Sequence, residues 1–191
     1  MNLTKIVLLS IVVFCFNSCQ SDDIFTTPRD LVQLYYSNDK PICTATKEVP
    51  GLGSIAWKAN CIVVDDSSSF RLIIGTRSDS IEMALRELIT ISEIPKIIGE
   101  AFKVSNSDIN AATGGYSIFA SDGDLLNASW IPNENPWFHS YVKITALDTL
   151  NKTIQGEFDL YFKMIRQGSF GLVHSEYINF KNGVFNTHYI E

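Results

Sequence analysis

"IAWKANCIVVDDSSSFRLIIGTR", residues 55–77, reads as two strands joined by a turn. In the first arm Ile55, Trp57 and Ala59 alternate with Ala56, Lys58 and Asn60, and the apolar run Ile62-Val63-Val64 follows. A period of two places alternate side chains on one face of a pleated strand. Ser67-Ser68-Ser69 supplies small polar turn residues, and Phe70 to Arg77 resumes the pattern as a partner. Asp65-Asp66 is expected to be a solvated strand end.

The same pattern extends in both directions. Upstream, "ICTATKE" (42–48) alternates until Pro50, Gly51 and Gly53 interrupt it. Downstream, "EAFKVS" (100–105), "GGYSIFAS" (114–121), "YVKITAL" (141–147), "TIQGEFDLYFKMI" (153–165), "YINFK" (177–181) and "VFNTHYI" (184–190) are further strand candidates. Turn-rich stretches separate them: "SDGD" (121–124), "IPNENP" (131–136), "DTLNK" (148–152) and "KNG" (181–183). Asn and Gly tolerate positive φ, so Lys181-Asn182-Gly183 is expected to be a turn dividing the last two strands. Short strands at this spacing imply an all-β fold, an antiparallel β-sandwich with β-barrel-like closure as the alternative. Two segments stand apart. Thr27, Pro28 and Asp30 signal a short helix over 28–36. Residues 80–92 are ambiguous, because Ile81, Met83 and Leu85 alternate while Ile81, Ala84, Leu85 and Leu88 keep helical spacing.

The N-terminus carries an address. Lys5 precedes an apolar run from Ile6 to Leu9 and from Ile11 to Phe16, the length of a secretory signal core and too short to span a bilayer. A lipoprotein signal needs a small residue directly before its cysteine. Phe14 excludes Cys15, whereas Phe16-Asn17-Ser18-Cys19 resembles such a lipobox. Residues 1–18 are therefore expected to be removed as a lipoprotein signal peptide, leaving Cys19 acylated. Two or more acyl chains hold a protein stably on a membrane without a spanning helix. Residues 19–40 then form an acidic tether and spacer, and 41–191 one β-rich domain.

Cleavage removes one cation and no acid, so the net charge moves from −6 to −7. That surface argues against nucleic acid as a partner. Cys43 and Cys61 remain; export to an oxidising compartment favours a disulfide between them, and two buried thiols are the other reading.

Several residues together resemble an uncharacterised family of small Bacteroidota lipoproteins: Trp57-Lys58-Ala59, Gly75, Ile144-Thr145-Ala146-Leu147-Asp148, Gly156-Glu157-Phe158, and Ile178 through Phe185. The resemblance covers residues 55–189. It implies a lipobox joined to a β-rich domain, a strand over Ser80 to Glu87, and no catalytic residue to carry over. It also implies that 43–54 and 121–139 exceed the usual loops of the family. In that setting Asp22 and Asp23, just beyond Cys19, look like an acidic signal for export to the outer-membrane surface, with a periplasm-facing location as the alternative. Trp57 is expected to fill the space between sheets, Asp148 and Asn151 to form a side-chain-bonded turn, and Gly156 to permit a bulge or a close approach.

The chemistry-bearing residues are sparse. There is no phosphate loop or nucleophile elbow. His139, His174 and His188 lie on separate elements, and Asp122-Gly123-Asp124 reads as a turn before it reads as a calcium site. Neither a metal nor a cofactor is expected. The densest cluster is aromatic: "SWIPNENPWFHSY" (129–141) gathers Trp130, Trp137, Phe138 and Tyr141 in an expected loop. Exposed rings on a rigid loop would stack on sugars or anchor a partner; folded back, they would form a lid over the core. The expected protein is a lipid-anchored, non-enzymatic module binding a glycan or an envelope protein. A polysaccharide hydrolase and a purely structural envelope component are the alternatives.

Overall fold

The computed structural model describes residues 43–77, 85–119, 126–168 and 174–190. The expected signal segment with Cys15 and Cys19, the expected tether, the expected helix over 28–36 and Asp122–Asp124 lie outside the described residues. What is described is all-β. The strands are β1 (Cys43–Val49), β2 (Gly53–Asp65), β3 (Ser69–Arg77), β4 (Leu85–Pro95), β5 (Ala101–Lys103), β6 (Thr113–Phe119), β7 (Leu126–Pro132), β8 (Tyr141–Asp148), β9 (Thr153–Gln167) and β10 (Tyr177–Ile190).

Eight of them close into an antiparallel barrel in the order β1-β2-β3-β4-β6-β7-β9-β10, with β10 pairing back to β1. Of sandwich and barrel, the chain takes the barrel. Closure pairs the strand edges that an open sheet would leave free. Eight strands also leave an interior about wide enough for side chains to fill, and here they do. Tyr116 packs against Phe180 (5.2 Å between ring centroids), Trp130 (5.0 Å) and Phe162 (5.8 Å), and Trp57 meets Phe180 edge-on at 4.8 Å. Trp57 therefore fills the lumen of one closed sheet rather than a gap between two.

The opening hairpin forms as read. β2 and β3 pair from Asn60–Gly75 to Asp65–Phe70, and Ser67 takes a positive φ of 66° while its N–H bonds to Asp65 Oδ1. The two acids at the strand end are not simply solvated. Arg71 grips Asp66 through both carboxylate oxygens, and Lys96 pairs with Asp65.

The expected turn at Lys181-Asn182-Gly183 is a bulge inside one continuous strand. β10 runs along β9 from Tyr177–Lys163 to His188–Thr153, and the register slips once, between Phe180 and Gly183. Asn182 has φ 51°, and its N–H donates to Asp159 Oδ1 at 2.7 Å. The slip inverts the parity of the buried face: Ile178 and Phe180 point inward before it, Gly183, Phe185, Thr187 and Tyr189 after it. One extra residue thus keeps the apolar set inside the barrel while the strand bends. The residue types that favour a tight turn supply the same positive φ here.

Two features expected from the sequence form as read. Asp148 Oδ1 accepts the N–H groups of Leu150 and Asn151, and Oδ2 accepts the Asn151 side-chain amide, closing the β8–β9 turn. Gly156 lies opposite Phe185, whose ring covers it so closely that a Cβ there would sit 2.2 Å from the ring. Residues 43–54 are not a loop insert, since they hold β1, one stave of the barrel. Of the segment 80–87, residues 85–87 open β4, which continues extended to Pro95; residues 80–84 lie outside the described residues.

Candidate functional site: the looped-out segment 133–140

β7 and β8 lie end to end along the same edge of β9. β7 pairs with Phe162–Gln167 and β8 with Thr153–Asp159, running in the same direction. Residues 133–140 are looped out of what is otherwise one continuous stave. Both feet of this loop are tied to Tyr161 of β9. The Asn133 N–H donates to the Tyr161 carbonyl at 2.7 Å, and Ser140 Oγ accepts the Tyr161 N–H at 2.9 Å.

Within the loop, asparagines impose the path. Asn133 Oδ1 accepts the N–H of Asn135, and Asn135 Oδ1 accepts the N–H of Trp137, both at 3.1 Å. The Phe138 N–H then reaches the Asn135 carbonyl at 2.9 Å. Such side-chain-bonded turns hold a loop without a second strand. From the flank, Glu134 is clasped by the 105–107 turn, accepting from Ser105 Oγ and the Asn106 N–H. Burial pushes the Glu134 carboxyl up, but these hydrogen bonds, with help from Ser107 and the charge of Lys103, hold it below the usual carboxylate range.

The four aromatic candidates separate. Trp130 does not belong to the loop. It sits in β7, 1% exposed, with its ring in the lumen against Tyr116 and His174 and its Nε1 donating to the Ser175 carbonyl at 3.1 Å. Trp137 is the reverse case, 86% exposed. Phe138 is partly exposed and stacks on Tyr161 at 5.3 Å. Tyr141, at the loop's exit, is half-buried; burial first, then the acids Asp159 and Glu157 and the neighbouring Tyr161, raise its phenol above the ordinary value. The rings are therefore divided between core and solvent, with the solvent share on the loop.

Two grooves flank the ridge made by Asn133, Glu134, Asn135 and Phe138. One, about 690 Å³, runs over the outer face of β7, β9 and β10 past Lys163, Tyr177 and Asn179. The other, about 450 Å³, lies between the ridge and Lys103, His139 and Tyr141. Both fall in the size range of small-ligand sites.

A second polar constellation lies inside the barrel, where sequence reading placed nothing. Lys47, only 7% exposed, pairs with Glu87 and donates to the Tyr116 hydroxyl at 2.9 Å, while Trp57 Nε1 donates to Glu87 Oε2 at 2.6 Å. Tyr116 Oη also donates to Glu87 Oε1 at 2.8 Å. The signal was present: Lys47 falls in phase with Cys43 and Ala45 on the inward face of β1, and Glu87 in phase with Ile89 and Ile91. This cluster is fully partnered and packed by rings, which suits a structural plug.

Cys43 and Cys61 are free thiols in the structure, both buried. Burial pushes the Cys61 thiol up to about 12, against hydrogen bonds from Thr187 and Asn186. Burial, with the neighbouring Cys61, raises Cys43 as well. In a Cys15→Ser/Cys19→Ser protein, Ellman's reagent should leave both thiols unmodified in buffer and titrate both after denaturation. Rapid reaction when folded would contradict the burial, and no reaction after denaturation would reveal a bridge. The pH consequence has a definite sign. Unfolded thiols ionise near pH 8.5 while the folded ones stay protonated, so between that pH and about 12 the unfolded state binds fewer protons. Stability should fall across that window, which urea midpoints at pH 8 and about 10.5 would measure.

The histidines do not converge. His174 faces Asn127 and Trp130, with burial and then the charge of Lys47 lowering its pKa, while His139 lies on the loop and His188 on β10. Among the described residues no group of three or more His, Cys, Asp or Glu side chains is placed to hold a metal ion. No protein-family model, curated protein or solved structure matches the chain.

Proposed function

We propose that the protein is a lipid-anchored envelope component, held through acylated Cys19 at the outer membrane and facing outward. Its barrel displays loop 133–140 as a non-enzymatic binding module for a glycan or a protein partner. The observation that carries this reading is Trp137, whose ring is 86% exposed on a backbone fixed at both ends to β9. A large apolar ring held in water by a rigid loop loses little conformational entropy on binding and gains the burial of its faces. Among the described residues the two grooves flanking the loop are lined by a single carboxylate, Glu134, and hydrogen bonds already occupy it. Paired-carboxylate hydrolysis would need a second one opposite, so binding is favoured over hydrolysis. The address rests on Phe16-Asn17-Ser18-Cys19 and the acids Asp22 and Asp23.

The anchor is tested by metabolic palmitate labelling of the full chain. Cys19→Ala should lose the label and Cys15→Ala should keep it; the opposite result would reassign the cleavage site. For binding, a ring at the centre of a contact contributes about 2 kcal/mol or more when truncated. Trp137→Ala should therefore weaken the partner identified on a glycan array or by cell-surface cross-linking roughly thirtyfold. Unchanged affinity would remove the loop from the site.

A further inference from the structure

We infer that the ligand of the 133–140 loop is a neutral polysaccharide chain, lying across the ridge between the two grooves. The inference rests on the binding-module reading above and narrows it to one class. Three features of the site carry it.

The first is charge. Of the ionic groups lining the grooves, Glu134 is engaged by Ser105 and Asn106, and Lys103 is paired with Asp108 at 3.4 Å. That leaves Lys163 as the remaining lysine, with His139 on the far side of the ridge. A polyanion needs several cations along its path; a cationic ligand needs an accessible carboxylate. Neither is laid out here, and the chain's net charge of −6 repels polyanions further.

The second is the hydrogen-bonding inventory. Asn133 and Asn135 line both grooves and spend their amide oxygens inside the loop, which leaves Nδ2 as the donor each can offer a ligand. Asn179 adds a third amide on the floor of the larger groove. Neutral donors and acceptors beside Phe138 and Tyr141, with Trp137 exposed on the same loop, match a sugar ring, which has apolar C–H faces and a rim of hydroxyls.

The third feature disfavours an extended peptide. A peptide gains most of its affinity by adding to a free strand edge. On the floor of the larger groove β9 offers none, because it is paired on one side to β7 and β8 and on the other to β10. A peptide lying there would leave its own backbone groups unsatisfied, whereas sugar hydroxyls find side-chain amides.

Native affinity electrophoresis of the lipid-free chain tests this, with barley β-glucan, galactomannan and amylopectin as neutral probes and polygalacturonate and heparin as anionic ones. At least one neutral polymer should retard the protein, with retardation unchanged in about 0.5 M NaCl, where charge interactions are screened. Trp137→Ala should abolish the retardation. Asn133→Asp/Asn135→Asp keeps the oxygen acceptors that shape the loop but removes both Nδ2 donors, so affinity should fall roughly five- to tenfold with the fold intact. Retardation by anionic polymers alone, or by no polymer, overturns the inference. A photo-crosslinking residue at Phe138 then separates the two levels. Cross-links to a protein on intact cells would leave the binding-module reading standing without the polysaccharide, and their absence would remove both.

Discussion

Glu87→Ala should destabilise the barrel by about 3 kcal/mol, toward the lower end of the range for breaking a buried ion pair because Glu87 keeps some solvent contact. The side chains of Lys47 and Glu87 are 9% and 18% exposed, and Glu87 accepts from Lys47, Tyr116 and Trp57 together. Removing the carboxylate leaves a cation in the lumen between the rings of Tyr116 and Phe180, and it orphans the Trp57 N–H. The cost is that of the stranded partners, not of the pair itself. Glu87→Gln should therefore cost less, since it preserves an acceptor, and Lys47→Met/Glu87→Leu should cost about 1–2 kcal/mol, because no charge remains but the Trp57 N–H and the Tyr116 hydroxyl still lose their partners. Urea midpoints of the three variants check the ordering. If the double variant proves as unstable as Glu87→Ala, volume rather than charge governs the site.

Gly156→Ala should cost about 3 kcal/mol, at the upper end for overpacking a core. A Cβ at Gly156 would stand 2.2 Å from Phe185 Cζ and 2.5 Å from the backbone oxygen of Lys143. The ring can move; the carbonyl belongs to the β8–β9 ladder, which already shifts register between Ile144 and Ala146. Gly114→Ala makes the comparison, because its tightest contact, at 2.7 Å, is the Val104 Cγ1 methyl, part of a side chain that can turn away. Thermal unfolding should rank Gly156→Ala well below Gly114→Ala. Adding Phe185→Leu should recover only part of the loss, since the clash with the carbonyl remains.

Strand content was legible because period-two alternation is a local property. Ile154, Phe158, Leu160 and Phe162 announce the inward face of β9 without reference to any other strand. The Asp148–Asn151 turn and the hairpin at Ser67 were legible for the same reason, since their hydrogen bonds span two or three residues. Trp130 was misplaced because Pro132 and Pro136 mark a loop, whereas β7 runs to Pro132 and ends there. The lumen plug was overlooked because Lys47 and Glu87 are 40 residues apart, and nothing local shows that two inward charges face each other.

From its residues alone the described part of the chain reads as all-β and antiparallel, because alternation is written in neighbouring positions. Tertiary structure decided the rest. Sandwich and barrel share the same inward–outward alternation and differ only in whether β10 finds β1, a contact made across the whole length of the domain. That closure sends Trp130 into the lumen. The path of β9, with β7 and β8 ranged along one edge, is what leaves Trp137 outside on the loop between them.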